Sequence, residues 1–290
     1  MVTKILVGFD RSPHAADALT LGAVLARASG ARLAAGCVYA YPMLSVEDDD
    51  LAVEIRAHAE RVAASAAELA PELTIEPHTI EDSSPADGLQ RLAADIGADL
   101  LVVGSSRRGP VGRAFAGSVP EQLLHAAACA VAIAPSRYAE AEHHRLADIG
   151  VGFDGSREAR AAVTLAEQLA RRTGADLRVI GVAGMHAAAL VASPFAAAQY
   201  DSYLRQIRDR EEAMLRGIVE TLEVDATAEP HLGDPISSLG ARSSELDLLL
   251  IGSRAYGTLR RLFTGSVATA LIRGVACPLL VLPRGSAPPA

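Results

Sequence analysis

Two stretches of this chain carry the same residue types at the same spacing. Gly104 to Val119 reads GSSRRGPVGRAFAGSV, and Gly252 to Val267 reads GSRAYGTLRRLFTGSV. Gly104/Gly252, Ser105/Ser253, Gly109/Gly257, Arg113/Arg261, Phe115/Phe263, Gly117/Gly265, Ser118/Ser266 and Val119/Val267 align without a gap. Each stretch follows an apolar run, Leu100 to Val103 or Leu248 to Ile251, and leads into a helix-like segment. A glycine-bounded loop between a buried strand and a helix N-terminus gathers backbone N–H groups, which is how a phosphate is held. The first loop contains Arg107, Arg108 and Arg113, and the second Arg254, Arg260 and Arg261, with no acid in either. Guanidinium groups suit bidentate phosphate contacts. In a chain of net charge −8 these basic loops stand out. The competing reading is a pair of solvated surface loops.

The elements that must position these loops repeat as well. Val7 to Asp10 returns as Val151 to Asp154, and Gly30 to Leu33 as Gly174 to Leu177, at an offset of 151 − 7 = 144. Glu76-Pro77-His78 returns as Glu229-Pro230-His231 at 229 − 76 = 153, and Asp99-Leu100 as Asp247-Leu248 at 247 − 99 = 148. On these offsets the second copy gains nine residues between its second and third strands and loses five before its fourth. Indels of this kind belong in loops.

Within the first copy, apolar runs at Lys4 to Phe9, Leu33 to Tyr39, Leu73 to Ile80, Leu100 to Val103 and Ala130 to Ala134 read as strands. Between them lie helical segments. Ser12 caps one, with Pro13 at its first position and Gly30 at its end. Asp50 to Leu69, Pro85 to Ile96 and Ser118 to about Ala127 are the others. Alternating strands and helices predict an α/β fold with a parallel sheet covered on both faces. The chain is therefore expected to form two tandem, doubly wound, five-stranded domains, residues 1–137 and 146–284, related by a pseudo-twofold axis. Ala130 to Ala134 and Leu279 to Leu282 are apolar edge strands and are expected to pair with each other across that axis. Ligands of such sheets bind beyond the carboxyl ends of the strands at the switch point. Asp10, Asp154 and both glycine loops should therefore share one crevice per half.

Composition narrows the function further. A pI near 5.5, no Trp and few aromatics argue against a nucleic-acid binder. Three cysteines make no disulfide framework, and Cys37, Cys129 and Cys277 read as small buried hydrophobes. No apolar run approaches the roughly 18 residues of a membrane span, and the first residues lack a signal-peptide layout. A soluble, cytoplasmic protein is expected. Ser136 to Ala147 reads as a solvated linker whose His143-His144 pair lacks a third metal ligand. Met185 to Tyr203 reads as an insertion covering the second site or facing a partner, and Arg284 to Ala290 as a disordered tail.

These residues resemble the universal stress protein family, whose fingerprint is G-x2-G-x9-G-[ST] after the fourth strand. Gly104, Gly117 and Ser118 match it in the first copy, and Gly252, Gly265 and Ser266 in the second. Asp10 and Asp154 match the family's first-strand Asp, and Gly233-Asp234-Pro235 its G-x-P turn, of which the first half keeps only Pro85. The fingerprint's second glycine is Arg107 in one copy and Ala255 in the other.

The resemblance implies a Rossmann-like fold of the adenine nucleotide alpha hydrolase type. It implies a stress-response or signalling module that binds ATP, with Mg2+. Val38 and Val182 would read adenine through their backbones. Asp10 and Asp154 would contact ribose or a Mg2+ shell, or else serve only as caps of the following helices. Gly104 and Gly252 would leave room for ribose and phosphates. Ser118, Val119, Ser266 and Val267 would hold phosphate. The implied partners are the nucleotide, a further copy of the chain or an internal pseudo-dimer, and a protein partner that the sequence does not name. Neither nucleic acid nor membrane is among them. No catalytic residue is assigned: neither loop holds an acid or His to act as base, and no G-x4-G-K-[ST] loop follows. The alternatives are a ligand-free dimerisation scaffold and a slow ATPase.

Overall fold

The structure, a computed structural model, describes residues 2–41, 49–105, 119–141, 144–184, 194–253 and 266–283. The first half runs β1 (Lys4–Gly8), α1 (Pro13–Ser29), β2 (Arg32–Tyr39), α2 (Asp49–Ala64), α3 (Ala66–Leu69), β3 (Ile75–Glu81), α4 (Pro85–Asp95), β4 (Leu100–Gly104), α5 (Val119–Ala126) and β5 (Ala130–Ala134). The second runs β6 (Asp148–Gly152), α6 (Arg157–Thr173), β7 (Asp176–Ala183), α7 (Pro194–Val219), β8 (Ala226–Leu232), α8 (Pro235–Arg242), β9 (Leu248–Gly252), α9 (Ser266–Gly274) and β10 (Leu279–Leu282). Among the described residues the ten strands form one sheet, in the order β3-β2-β1-β4-β5-β10-β9-β6-β7-β8.

Local chemistry accounts for the repeat of α1 and α6. Ser12 Oγ accepts the Ala15 N–H, and Ser156 Oγ the Ala159 N–H, each at 3.1 Å. Gly30 and Gly174 close the two helices at φ 71° and 73°, a conformation a Cβ disfavours by about 1 kcal/mol or more. The central strands are buried on both faces: Ile5, Leu6 and Val7 are all solvent-free. Strand pairing is parallel within each half. At the expected seam β5 and β10 pair antiparallel, Leu279 opposite Ile133 and Val281 opposite Val131.

One face of the sheet is shared. Residues of α1, α2, α6 and α7 form a single apolar cluster across both halves, with α1 against α6. On the other face α4 and α5 cover one cluster, and α8 and α9 another. The halves also meet through Arg273 of α9, whose Nε donates to Glu121 of α5 at 3.1 Å.

Two expectations need correction. The sheet pairs Val38 with Ile80 and Val182 with His231, so the third strands are offset by 231 − 80 = 151, not 153. Glu229-Pro230-His231 therefore sits two residues further along the sheet than Glu76-Pro77-His78. A slip of two keeps every side chain on its face, so alternation cannot detect it. The second half gains seven residues here (151 − 144) and loses three afterwards (151 − 148).

The linker is also not simply solvated. Asp17 of α1 is 3% exposed, and its carboxylate accepts the N–H groups of Arg137 at 2.9 Å and Ala139 at 2.8 Å. A buried carboxylate needs such donors. Arg137 takes φ 67° to supply one, and Tyr138 packs against His144 with ring centroids 4.9 Å apart. Burial first, then the Asp247 charge, pushes the Tyr138 hydroxyl up to about 12. The residue equivalent to Asp17 in the second half is the buried Ala161. His143 and Arg284 to Ala290 lie outside the described residues.

The halves fill the same core position with opposite residues. Leu6 on β1, paired with Ala34, reaches diagonally over Gly36 on β2, whereas Ile180 on β7, paired with Gly152, reaches diagonally over Gly150 on β6. A Cβ at Gly36 would meet Leu6 Cδ1 at 3.0 Å and Leu92 Cδ2 at 2.7 Å, and one at Gly150 would meet Ile180 Cδ1 at 3.3 Å.

Two measurements follow from this packing. Leu6→Gly should cost about 3–5 kcal/mol and Gly36→Ile about 1–3 kcal/mol in urea unfolding. The double variant should cost at least about 1 kcal/mol less than their sum, and strict additivity would show that the pair does not share one space. Asp17→Ala should lose about 2–3 kcal/mol, because two linker N–H groups lose their acceptor. A loss under about 0.5 kcal/mol would mean that the linker is not held there.

Candidate functional site

In each half the strand order reverses direction beside the first strand. β1 has β2 on one side and β4 on the other, and β6 has β7 and β9. The chain leaves each first strand through a tight turn. Asp10 Oδ1 accepts the Ser12 N–H and Asp154 Oδ1 the Ser156 N–H, both at 2.9 Å. These are Asx turns, in which a side-chain oxygen stands in for a backbone carbonyl. Neither Asp is a helix cap: Ser12 and Ser156 hold that role. Both carboxylates are exposed at the crevice. The next residue is left-handed in each turn, Arg11 at φ 64° and Gly155 at φ 76°.

The backbone beside these turns is unequal in length. The ladder between β1 and β2 ends at Gly8 and Gly36, and Phe9 N–H then donates to the Gly36 carbonyl at 2.9 Å. Tyr39 turns the other way, its carbonyl accepting the Asp82 N–H at 2.9 Å. Alternate residues of a strand address opposite neighbours, so Val38 points its N–H and C=O toward the β1 side, past the end of β1. The second half does the same. Phe153 N–H reaches the Ile180 carbonyl at 2.8 Å, the Ala183 carbonyl accepts Gly233 N–H at 3.0 Å, and Val182 faces the gap beyond β6. Among the described residues no backbone partner meets Val38 or Val182 on that side. Their side chains are half-buried against the α4 and α8 clusters.

Gly104 and Gly252 end β4 and β9 beside these turns. Their missing side chains have a reason within the fold. A Cβ at Gly104 would strike the backbone of His14, with its carbonyl carbon at 2.7 Å, and one at Gly252 would strike Ala159 N and Glu158 C at 2.6 Å. The first turns of α1 and α6 occupy the space of such a Cβ. The following residues anchor the loops: Ser105 N–H donates to the Ala134 carbonyl and Ser253 N–H to the Leu282 carbonyl, each at 2.8 Å. Val119 begins α5, and Val267 is the second residue of α9, after Ser266. Both valines pack against the cores below. Arg107, Gly117, Ser118, Ala255 and Gly265 lie outside the described residues, as does the stretch from 185 to 193.

The crevices differ in one group that the sequence pattern did not expose. Glu211 of α7 reaches over Gly181 of β7, with Oε1 in the space a Cβ there would need, and Leu215 Cδ atoms at 3.0 Å beside it. Burial, followed by the nearby Asp154 charge, pushes the Glu211 carboxyl up. The first half has Cys37 at the position of Gly181, and burial, then the Asp10 charge, pushes that thiol up. Glu211 lies far from Asp154 in the chain, on a helix without the offset that aligns the strands. The signal available was a glycine at 181 where the other copy has Cys37.

The raised carboxyl gives a pH test. A group with a raised folded pKa contributes stability below its unfolded pKa and loses it as pH rises through the folded one. Glu211→Gln should thus match the parent near pH 4 and exceed it in urea midpoint at pH 7.5. A gap independent of pH would show that Glu211 does not titrate in this setting.

Among the described residues no helix is long and apolar enough to cross a membrane. The crystal structure of a universal stress protein from Archaeoglobus fulgidus superposes with TM-score 0.68 at 19% identity, covering 98% of this chain and 97% of that one. A functionally unknown Pseudomonas aeruginosa protein superposes with TM-score 0.61 at 16% identity, covering 97% and 92%. In sequence, one universal stress protein of Mycobacterium tuberculosis is 28% identical over 227 residues, 74% of each chain. A second is 29% identical over 186 residues, 63% of this chain and 61% of the relative. The model of the universal stress protein family matches residues 1–135 and again 147–283. Two copies of one domain, each with its own crevice, thus make this chain a tandem member of the universal stress protein family.

Proposed function

We propose that this stress-response protein binds an adenine nucleotide, ATP, at the crevice of each half and works as a nucleotide-dependent signalling module. The observation that carries the reading is the backbone of Val38 and Val182. Each presents one N–H donor and one C=O acceptor beyond the end of the neighbouring strand. Adenine presents the complement along one edge, a ring nitrogen that accepts and an exocyclic amine that donates. Asp10 and Asp154 stand beside these positions, where they would accept ribose hydroxyls. The N–H groups at the starts of α5 and α9 would hold the phosphates, with Ser118, Val119, Ser266 and Val267 as donors. Gly117, Gly265 and the arginine-rich loops, Arg107 included, lie outside the described residues and enter this reading only through the family fingerprint. Ala255 replaces a glycine with only a methyl group.

A divalent cation fits the same reading. Asp10 and Asp154 are hard oxygen ligands, but among the described residues no three His, Cys, Asp or Glu side chains cluster to hold a metal. A Mg2+ ion here would take its remaining ligands from phosphate and water, as that ion commonly does. Its chemistry would be charge neutralisation on the phosphates.

The test is direct. Denaturing the purified chain should release one or two equivalents of adenine nucleotide, or calorimetry should show ATP binding at that stoichiometry. Asp10→Ala with Asp154→Ala should weaken ATP binding by at least about tenfold, the equivalent of one charged hydrogen bond per site. Thermal melting would verify that the double variant is folded. Full ATP affinity in a folded double variant would remove both residues from the site. Absence of any ATP binding in the parent would leave the domains as a scaffold.

A further inference from the structure

The second crevice holds the Glu211 carboxylate at a place where the first has Cys37. Gly181 has ordinary backbone torsions, so the fold uses its missing side chain and not its conformational freedom. Glu211 Oε1 fills the vacated space, immediately before Val182 along β7. Asp154 lies close enough to act on Glu211 electrostatically. Glu211 is thus set between the backbone that faces a base and the turn beside the start of the phosphate loop. In a bound nucleotide the ribose occupies that interval. Two neighbouring carboxylates repel each other and present only acceptors. The vicinal hydroxyls of a ribose supply two donors. Cys37, at the corresponding place in the first half, is buried and only weakly hydrogen-bonding.

Resting on the nucleotide reading above, we infer that Glu211 is a specificity-determining residue of the second half: it accepts one ribose hydroxyl while Asp154 accepts the other. The second half then selects ribonucleotides over deoxyribonucleotides at both hydroxyls, and the first half, with Cys37 in the place of Glu211, does so less. The halves of this tandem chain would not be interchangeable sites.

Two variants separate this from a structural role. Glu211→Gln keeps the shape and removes the charge. Gly181→Ala leaves Glu211 in place in the sequence, but its Cβ displaces the carboxylate. ATP, 2′-deoxy-ATP and 3′-deoxy-ATP would be titrated calorimetrically into the full chain and both variants, with melting curves to confirm folding. In the parent, one class of site should lose about tenfold or more affinity for each of the two deoxynucleotides, the loss of one hydrogen bond to a charged group in either case. The other class should lose as much for only one of them and less than about threefold for the other. Both variants should reduce one of the two losses at the first class to below about threefold and leave the other class unchanged. Equal discrimination by parent and variants, or none in the parent, overturns the inference while ATP binding stands. Absence of ATP binding in the parent overturns the nucleotide reading, and this inference with it.

Discussion

The antiparallel pairing of β5 with β10 is the contact on which the rest of the architecture depends. Each is a short, wholly apolar strand at what would be the open edge of a five-stranded sheet. An edge of that kind carries unpaired N–H and C=O groups and invites association. Joining the two edges satisfies these groups and produces one sheet of ten strands among the described residues. It also brings α1 against α6 and α5 against α9. A shared core on one face and the Arg273–Glu121 pair on the other follow from that join. The remaining outer strands, β3 and β8, each carry a proline, a residue suited to edges because it lacks the N–H that another strand would use.

Strand length creates the crevices. β1 and β6 stop while β2 and β7 continue, and the extra residues expose backbone hydrogen-bonding groups with no strand beside them. The early stop is made by the Asx turns of Asp10 and Asp154 and by the Ser12 and Ser156 caps that start the next helix. The close approach of α1 to Gly104, and of α6 to Gly252, places the helix starts against the ends of β4 and β9. The group that terminates the strand is therefore also the group best placed to meet a ligand. Few residues can change here without altering both the fold and the site.

Around this shared plan the halves have diverged by compensation. Leu6 with Gly36 and Gly150 with Ile180 occupy comparable space by opposite means, as a close-packed core requires. Asp17 holds the linker, and the second half has Ala161 at that place. Gly181 admits Glu211 where the first half has Cys37. The first two changes serve packing. The third places an ionisable group next to Asp154, where burial and repulsion both oppose its charge.

The duplication, the strand–helix alternation, the caps at Ser12 and Ser156 and the glycine stops at Gly30 and Gly174 were legible in the chain alone, because each depends on neighbours within a few residues. The pairing of Ala130–Ala134 with Leu279–Leu282 was legible too, since two apolar edges in one chain leave few other partners. The two-residue offset of β8 was not, because a period of two is blind to it. Nothing in the chain marks Asp17 as the acceptor of the Arg137 and Ala139 amides. The close packing of helix backbone against Gly104 and Gly252 was not legible either. Glu211 itself carries no local signal, and only the exchange of Cys37 for Gly181 in the other copy hints at it. Local hydrogen bonding and hydrophobic period act along the chain and can be read from it. Register, close backbone approach and the meeting of distant charges arise only when separate elements pack, so only the tertiary structure decides them.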